Sequence, residues 1–176
     1  DGPDMDAIEE YIKDESVKGL FCVPKYSNPD GITFSDEVVR RFAALKPAAK
    51  DFRVIWDNAY IVHDLNDTPD KLLNIFDEAK KCGSEDMFIE VISTSKISFA
   101  GGGISAVIAS DANIAEIKKR MSIQIISNDK INQLRHARYF KNLDGIKAHM
   151  KKQAAILKPK FDAVTDGFEK AFNGTG

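Results

Sequence analysis

Cysteine is scarce in these 176 residues: Cys22 and Cys82 are the only two. They are far apart and stand in no metal-ligand spacing with the three histidines, which argues against a disulfide-stapled scaffold and against a zinc site. An excess of one charge is lacking too. With 25 Lys and Arg against 27 Asp and Glu, the formal net charge is −2, so there is no electrostatic case for nucleic acid or an anionic membrane surface. No apolar run approaches the ~20 residues of a membrane span. The opening Asp1-Gly2-Pro3-Asp4 has neither the basic nor the apolar region of a signal peptide. Two reduced thiols, one in an apolar strand and one at a helix end, point to the cytoplasm as the expected compartment.

What is present is the composition of an ordinary globular domain, 43% hydrophobic and 30% charged, on a chain long enough to bury one core. Met5, Ile8, Tyr11 and Ile12 have helical spacing within Asp4 to Asp14. Val17 to Val23 reads as a buried strand and runs into the turn-dense Pro24-Lys25-Tyr26-Ser27-Asn28-Pro29-Asp30-Gly31. A helix is expected from Ser35 to Leu45, with Ser35 as N-cap and Pro47 as its stop. Phe52 to Trp56 is a second strand, ending at Asp57. Thr68-Pro69 has the form of a helix start, and Gly83 that of a stop after Cys82.

Met87 to Ile92 and Ile104 to Ala109 read as the third and fourth strands. The roughly eleven residues between them are too few for a crossover helix, so the fourth strand should run antiparallel to the third. From Asp111 onwards the pattern is helical, with pieces near Asp111 to Met121, Asp129 to Phe140 and Asp144 to Phe172. Pro159 is expected to kink or divide the last piece. The fold class is therefore α/β, a mainly parallel sheet with one antiparallel strand, flanking helices and a long C-terminal helix.

Open α/β sheets bind ligands at the carboxyl ends of their strands. Here the first strand delivers Asn28, the second Asp57 and Tyr60, and the third Ser93, Ser95 and Lys96. Each has a plain reading alone: Asn28-Pro29-Asp30-Gly31 as a turn, Asp57 as a surface carboxylate, Tyr60 as a half-buried ring, the serines as a strand end, Lys96 as a solvated cation. Trp56 is expected in the core, and His63, His136 and His149 on surfaces or helix faces.

Taken in order, Asn28-Pro29-x-Gly31, Asp57-x-x-Tyr60, Ser93-x-Ser95-Lys96 and the glycine run Gly101 to Gly103 make a far more specific set. On these the chain resembles the fold-type-I pyridoxal-phosphate aminotransferases, and within them the MocR-like branch of alanine–glyoxylate or aspartate aminotransferases. The resemblance implies pyridoxal 5'-phosphate as cofactor. Lys96 would form the Schiff base and then shuttle a proton, its amine helped to neutrality by desolvation and by the positive pyridine ring. It implies that Asp57 holds the protonated pyridine nitrogen, that Asn28 and Tyr60 hold the phenolic oxygen, and that Ser93 with Ser95 binds the phosphate.

The same resemblance implies transfer of an amino group between a small amino acid, aspartate or alanine, and a 2-oxo acid, in a homodimer. It divides the chain into a partial large-domain core over residues 1–143 and a helical segment over 144–176 leading toward a small domain. An upstream phosphate loop and a downstream carboxylate-binding arginine would lie outside this stretch, which by itself would then bind the cofactor poorly and not turn over. One position departs from the pattern. Many relatives carry an arginine eight residues after the lysine to pair with the phosphate, and Ile104 stands there. The glycine run is expected to compensate through its backbone. Other readings are an aminotransferase-like effector domain of a transcription regulator, a lyase or decarboxylase on the same scaffold, and an α/β domain without cofactor.

Overall fold

The computed structural model describes residues 1–173. Four strands form one sheet in the order β1 (Gly19–Cys22), β2 (Arg53–Asp57), β3 (Phe88–Ser93), β4 (Ser105–Ala109). The first three pair in parallel, Cys22 opposite Trp56 and Trp56 opposite Glu90. β4 returns antiparallel, Val91 opposite Val107 and Ser93 opposite Ser105. Because side chains alternate across a strand, this register sorts the sheet into two faces. Leu20, Val54, Trp56, Phe88 and Glu90 share one face. Phe21, Ile55, Asp57, Val91, Ser93 and Val107 share the other.

The core lies on the first face. α1 (Met5–Tyr11), α2 (Asp36–Ala44) and α3 (Ile75–Cys82) bring Met5, Val39, Phe42, Ile75 and Ala79 against Val54, Trp56 and Phe88, all of them buried. Trp56 is the hub. Its ring meets Phe42 edge-on at 5.4 Å between centroids, Phe34 at 5.6 Å and Phe88 at 6.3 Å, the offset geometry that ring quadrupoles favour. The expected buried first strand is corrected: Phe21 projects from the opposite face and is 65% exposed.

Two helix starts follow their caps. Ser35 accepts from Val38 N and begins α2 as its sequence signals. Thr68-Pro69 does not open α3. That helix starts six residues later, where the Asn74 side chain accepts from both Phe76 N and Asp77 N. Leu72 and Leu73 pack against the core in an irregular run, and the burial they gain there overrides the local capping signal. Gly83, at φ 65°, closes α3 in the left-handed conformation that glycine favours. A short 3-10 turn over Glu85–Met87 takes Met87 out of the expected strand.

The helices after the sheet are α4 (Asp111–Gln124), α5 (Lys130–Phe140) and α6 (Leu143–Phe172). Pro159 lies inside α6 and does not divide it, leaving one carbonyl without its helical donor. The chain forms two compact units: residues 1–61 with 70–133, and residues 62–69 with the chain from Leu134 onward. In the second unit Phe140 packs among His136, Tyr139 and His149. His136 is buried, against the expectation of a surface position, because its ring joins that aromatic group. No helix of the described residues is long and apolar enough to cross a membrane.

Two outcomes follow from this packing. Trp56→Ala should lower the free energy of unfolding by about 3–5 kcal/mol in urea denaturation, the usual cost of a large core cavity. The Cys22 thiol is pushed up to about 12, first by burial and then by the nearby Asp57 carboxylate, whereas Cys82 is exposed. A thiol reagent at pH 8 should therefore modify Cys82 first and Cys22 only on unfolding, as read by mass spectrometry of the labelled peptides.

Candidate active site

The site is built where β2 and β3 end. Asp57 closes β2 opposite Val91, and the backbone N–H of Asn58 donates to the Val91 carbonyl at 2.9 Å. The parallel ladder thus runs one residue past Asp57 and holds that residue firmly. Asp57 Oδ1 then accepts from Ala59 N at 3.2 Å, an Asx-type turn that bends the chain out of the strand. The turn over residues 59–61 presents Tyr60, which is half-buried. Asp57 is half-buried as well, on the sheet face that also carries Val91 and Ser93.

β3 is extended by one further pair. Thr94 N donates to the Ile104 carbonyl at 2.8 Å, and Ile104 N donates to Thr94 Oγ1 at 2.8 Å. This closes the base of the loop that carries Lys96. The Thr94 carbonyl accepts from Ile97 N and Ser98 N, winding residues 94–98 into a turn. From that turn Lys96 places Nζ 4.6 Å from the centroid of the Tyr60 ring. A cation over an aromatic face at an exposed position is worth about 0.5–1 kcal/mol. This contact joins the loop after β2 to the loop after β3.

Ser93 and Ser95 meet through their hydroxyls, and Ser95 N donates to Ser93 Oγ at 3.1 Å. Gly103 passes close behind: a Cβ there would stand 3.0 Å from Ser95 N, so the close approach requires glycine. The carbonyls of Gly102 and Gly103 accept from the buried Asn132 Nδ2 at 2.7 and 3.2 Å. Ile104 lines a groove with Ala106, Ile114 and Met121. The same groove is also lined by Lys118, Asp129, Asn132 and Gln133, so Ile104 adds an apolar residue to a mixed surface.

The expected residues are not all gathered at one point. Tyr60 with Lys96, and Ser93 with Ser95, are brought together, beside the strand end that carries Asp57. Asn28 is exposed in the loop after β1, in a cis Asn28–Pro29 turn, and lines a cleft of about 450 Å³ with Cys22, Ser27 and Phe34. Lys96 is exposed, so the desolvation expected for it is not supplied by the described residues. Sequence reasoning passed over Thr94, which locks the lysine loop, and Lys25, Asn58 and Glu90, which are buried polar groups beside the turn. One of these had a signal: Glu90 is a charge within an apolar strand, and such a charge needs a partner.

Comparison with known proteins finds relatives of this chain. The chain is 45% identical over 166 residues to an aspartate aminotransferase of Corynebacterium glutamicum, covering 94% of this chain and 38% of that protein. It superposes on the crystal structure of an aspartate transaminase from the same organism with a TM-score of 0.93 at 44% identity, covering 97% of this chain and 40% of that one. At 20% identity it shares the fold of LysN, an α-aminoadipate aminotransferase from Thermus thermophilus solved with N-(5'-phosphopyridoxyl)-L-leucine, with a TM-score of 0.75 over 96% of this chain and 42% of that one. The chain thus spans about two fifths of the length of the relatives it matches. The family model described as aspartate amino-transferase matches residues 1–176, from end to end, and the chain belongs to that family.

Proposed function

We propose that this chain is the cofactor-binding part of a pyridoxal-phosphate-dependent aminotransferase that moves an amino group between a small amino acid and a 2-oxo acid. The observation that carries the reading is the Lys96 Nζ–Tyr60 contact at 4.6 Å beside the strand end that holds Asp57. Aspartate is the favoured donor, because the relative at 45% identity is named for it; alanine stands second. A homodimer in the cytoplasm, and a place in the MocR-like branch, go with this reading on the motif resemblance.

The donor set fits the cofactor. A carboxylate at the end of one strand suits a protonated pyridine nitrogen, a primary amine suits an aldehyde, and paired hydroxyls suit a phosphate. When bound, pyridoxal phosphate supplies the electron sink that makes an amino-acid α-proton removable. Asp57 accepts a hydrogen bond from the ring nitrogen and, by its charge, keeps that nitrogen protonated. Tyr60 and Asn28 would donate to the phenolic oxygen. Lys96 would hold the cofactor through Nζ and could carry a proton at the same atom. Ser93 and Ser95 donate to the phosphate. With Ile104 where an arginine is common, these hydroxyls would carry more of that binding.

The effector-domain reading gains nothing from the relatives, which are named as enzymes. Two outcomes test the proposal. Mixing the complete enzyme to which this chain is proposed to belong with pyridoxal phosphate should give a visible absorption that borohydride abolishes, leaving a reduced adduct on Lys96 by mass spectrometry. Lys96→Ala should show neither, and an unchanged absorption in that variant would defeat the assignment. Asp57→Asn should keep the absorption and lower turnover at least about a hundredfold, since a neutral amide no longer holds the ring proton. Parent-like turnover in Asp57→Asn would remove Asp57 from its role.

A further inference from the structure

On the sheet face opposite Asp57, three buried polar side chains are left unused by the roles above. Glu90 lies within β3, opposite Trp56, and is 8% exposed. Burial pushes its carboxyl above the ordinary range, against a smaller opposing effect of the hydrogen bond from Asn58. Asn58, 4% exposed, donates from Nδ2 to Glu90 Oε1 at 2.8 Å, while its Oδ1 is buried without a hydrogen-bond partner. Lys25, 6% exposed, reaches in from the loop after β1 and donates from Nζ to the Ile61 carbonyl at 3.1 Å. All three line one cavity of about 260 Å³.

Burying a lysine, an amide and a carboxyl is costly, and apolar side chains of similar size would fill this space at less cost. Their common property is the segment they hold. Asn58 directly follows Asp57, so its bond to Glu90 fixes the roll of the strand end. Ile61 directly follows Tyr60, so the bond from Lys25 fixes the far end of the turn. We propose that Asn58, Glu90 and Lys25 are positioning residues that clamp residues 58–61 from behind and thereby set Asp57 and Tyr60 against Lys96. The inference rests on the function proposed for that site.

The test uses the complete enzyme to which this chain is proposed to belong, loaded with cofactor, and the pH titration of the visible absorption that Lys96 gives with pyridoxal phosphate. Glu90→Met removes the acceptor for Asn58, and Lys25→Met removes the donor to Ile61. Each should still bind the cofactor, with the titration midpoint displaced by about half a pH unit or more. Turnover should fall about tenfold or more with the amino-acid KM little changed. Glu90→Gln, which keeps an acceptor oxygen, should restore both values. Folded Met variants with the midpoint and turnover of the parent would overturn the clamp. Should the Met variants fail to fold, Asn58→Ser decides: too short to reach Glu90, it should show the same displacement, and a parent-like midpoint overturns the inference. A parent protein with no Lys96 absorption overturns the proposed function itself, and this inference with it.

Discussion

The hydrogen bond from Asn58 N to the Val91 carbonyl carries the parallel ladder past Asp57, and much of the candidate site depends on it. A strand normally frays at its last residue, because the ladder no longer constrains the backbone there. Here the ladder extends one step, and Asp57 Oδ1 then accepts from Ala59 N to turn the chain at once. The result is a carboxylate and a tyrosine ring placed three residues apart on a stretch with little freedom. β3 repeats the device with Thr94 and Ile104, so the loop bearing Lys96 is tied at its base as well. Two rigid strand ends then allow two short loops to meet through Tyr60 and Lys96.

The two faces of the sheet divide the work. One is buried against α1–α3 around Trp56, and its tight aromatic contacts fix the position of β2. The other bears Asp57, Val91 and Ser93, partly open to solvent, and is the face on which the proposed chemistry is arranged. Glu90 and Asn58 belong to the buried face, yet they act on the same strand ends. Packing and chemistry are therefore coupled through the backbone of two adjacent residues, Asp57 and Asn58, whose side chains point to opposite sides.

Family membership and local chemistry meet at Ile104. Its backbone is fully engaged with Thr94, and it lines a groove that carries Ile114 and Met121 as well as Asp129 and Asn132. The glycine run beside it was expected to offer amides to a phosphate. The carbonyls of Gly102 and Gly103 accept from Asn132, and Gly103 makes room for the backbone of Ser95. The glycines thus shape the serine loop from behind, with Gly103 set against the backbone of Ser95.

The order of elements was legible in the sequence because it rests on local signals. Apolar runs of strand length, the caps Ser35 and Gly83, and the short link between β3 and β4 each fix conformation within a few residues. So were the polar residues at the strand ends, since their spacing is a linear property of the chain. Tertiary contacts decided the rest. The irregular run before α3 is set by Leu72 and Leu73 docking on the core, a long-range gain that outweighs the Thr68-Pro69 start signal. Burial of Lys25 and its bond to Ile61 join residues 36 apart, and no local pattern encodes that pairing. The same holds for Lys96 over Tyr60: sequence names the two side chains, and only the folding of two loops from neighbouring strands brings them within 4.6 Å.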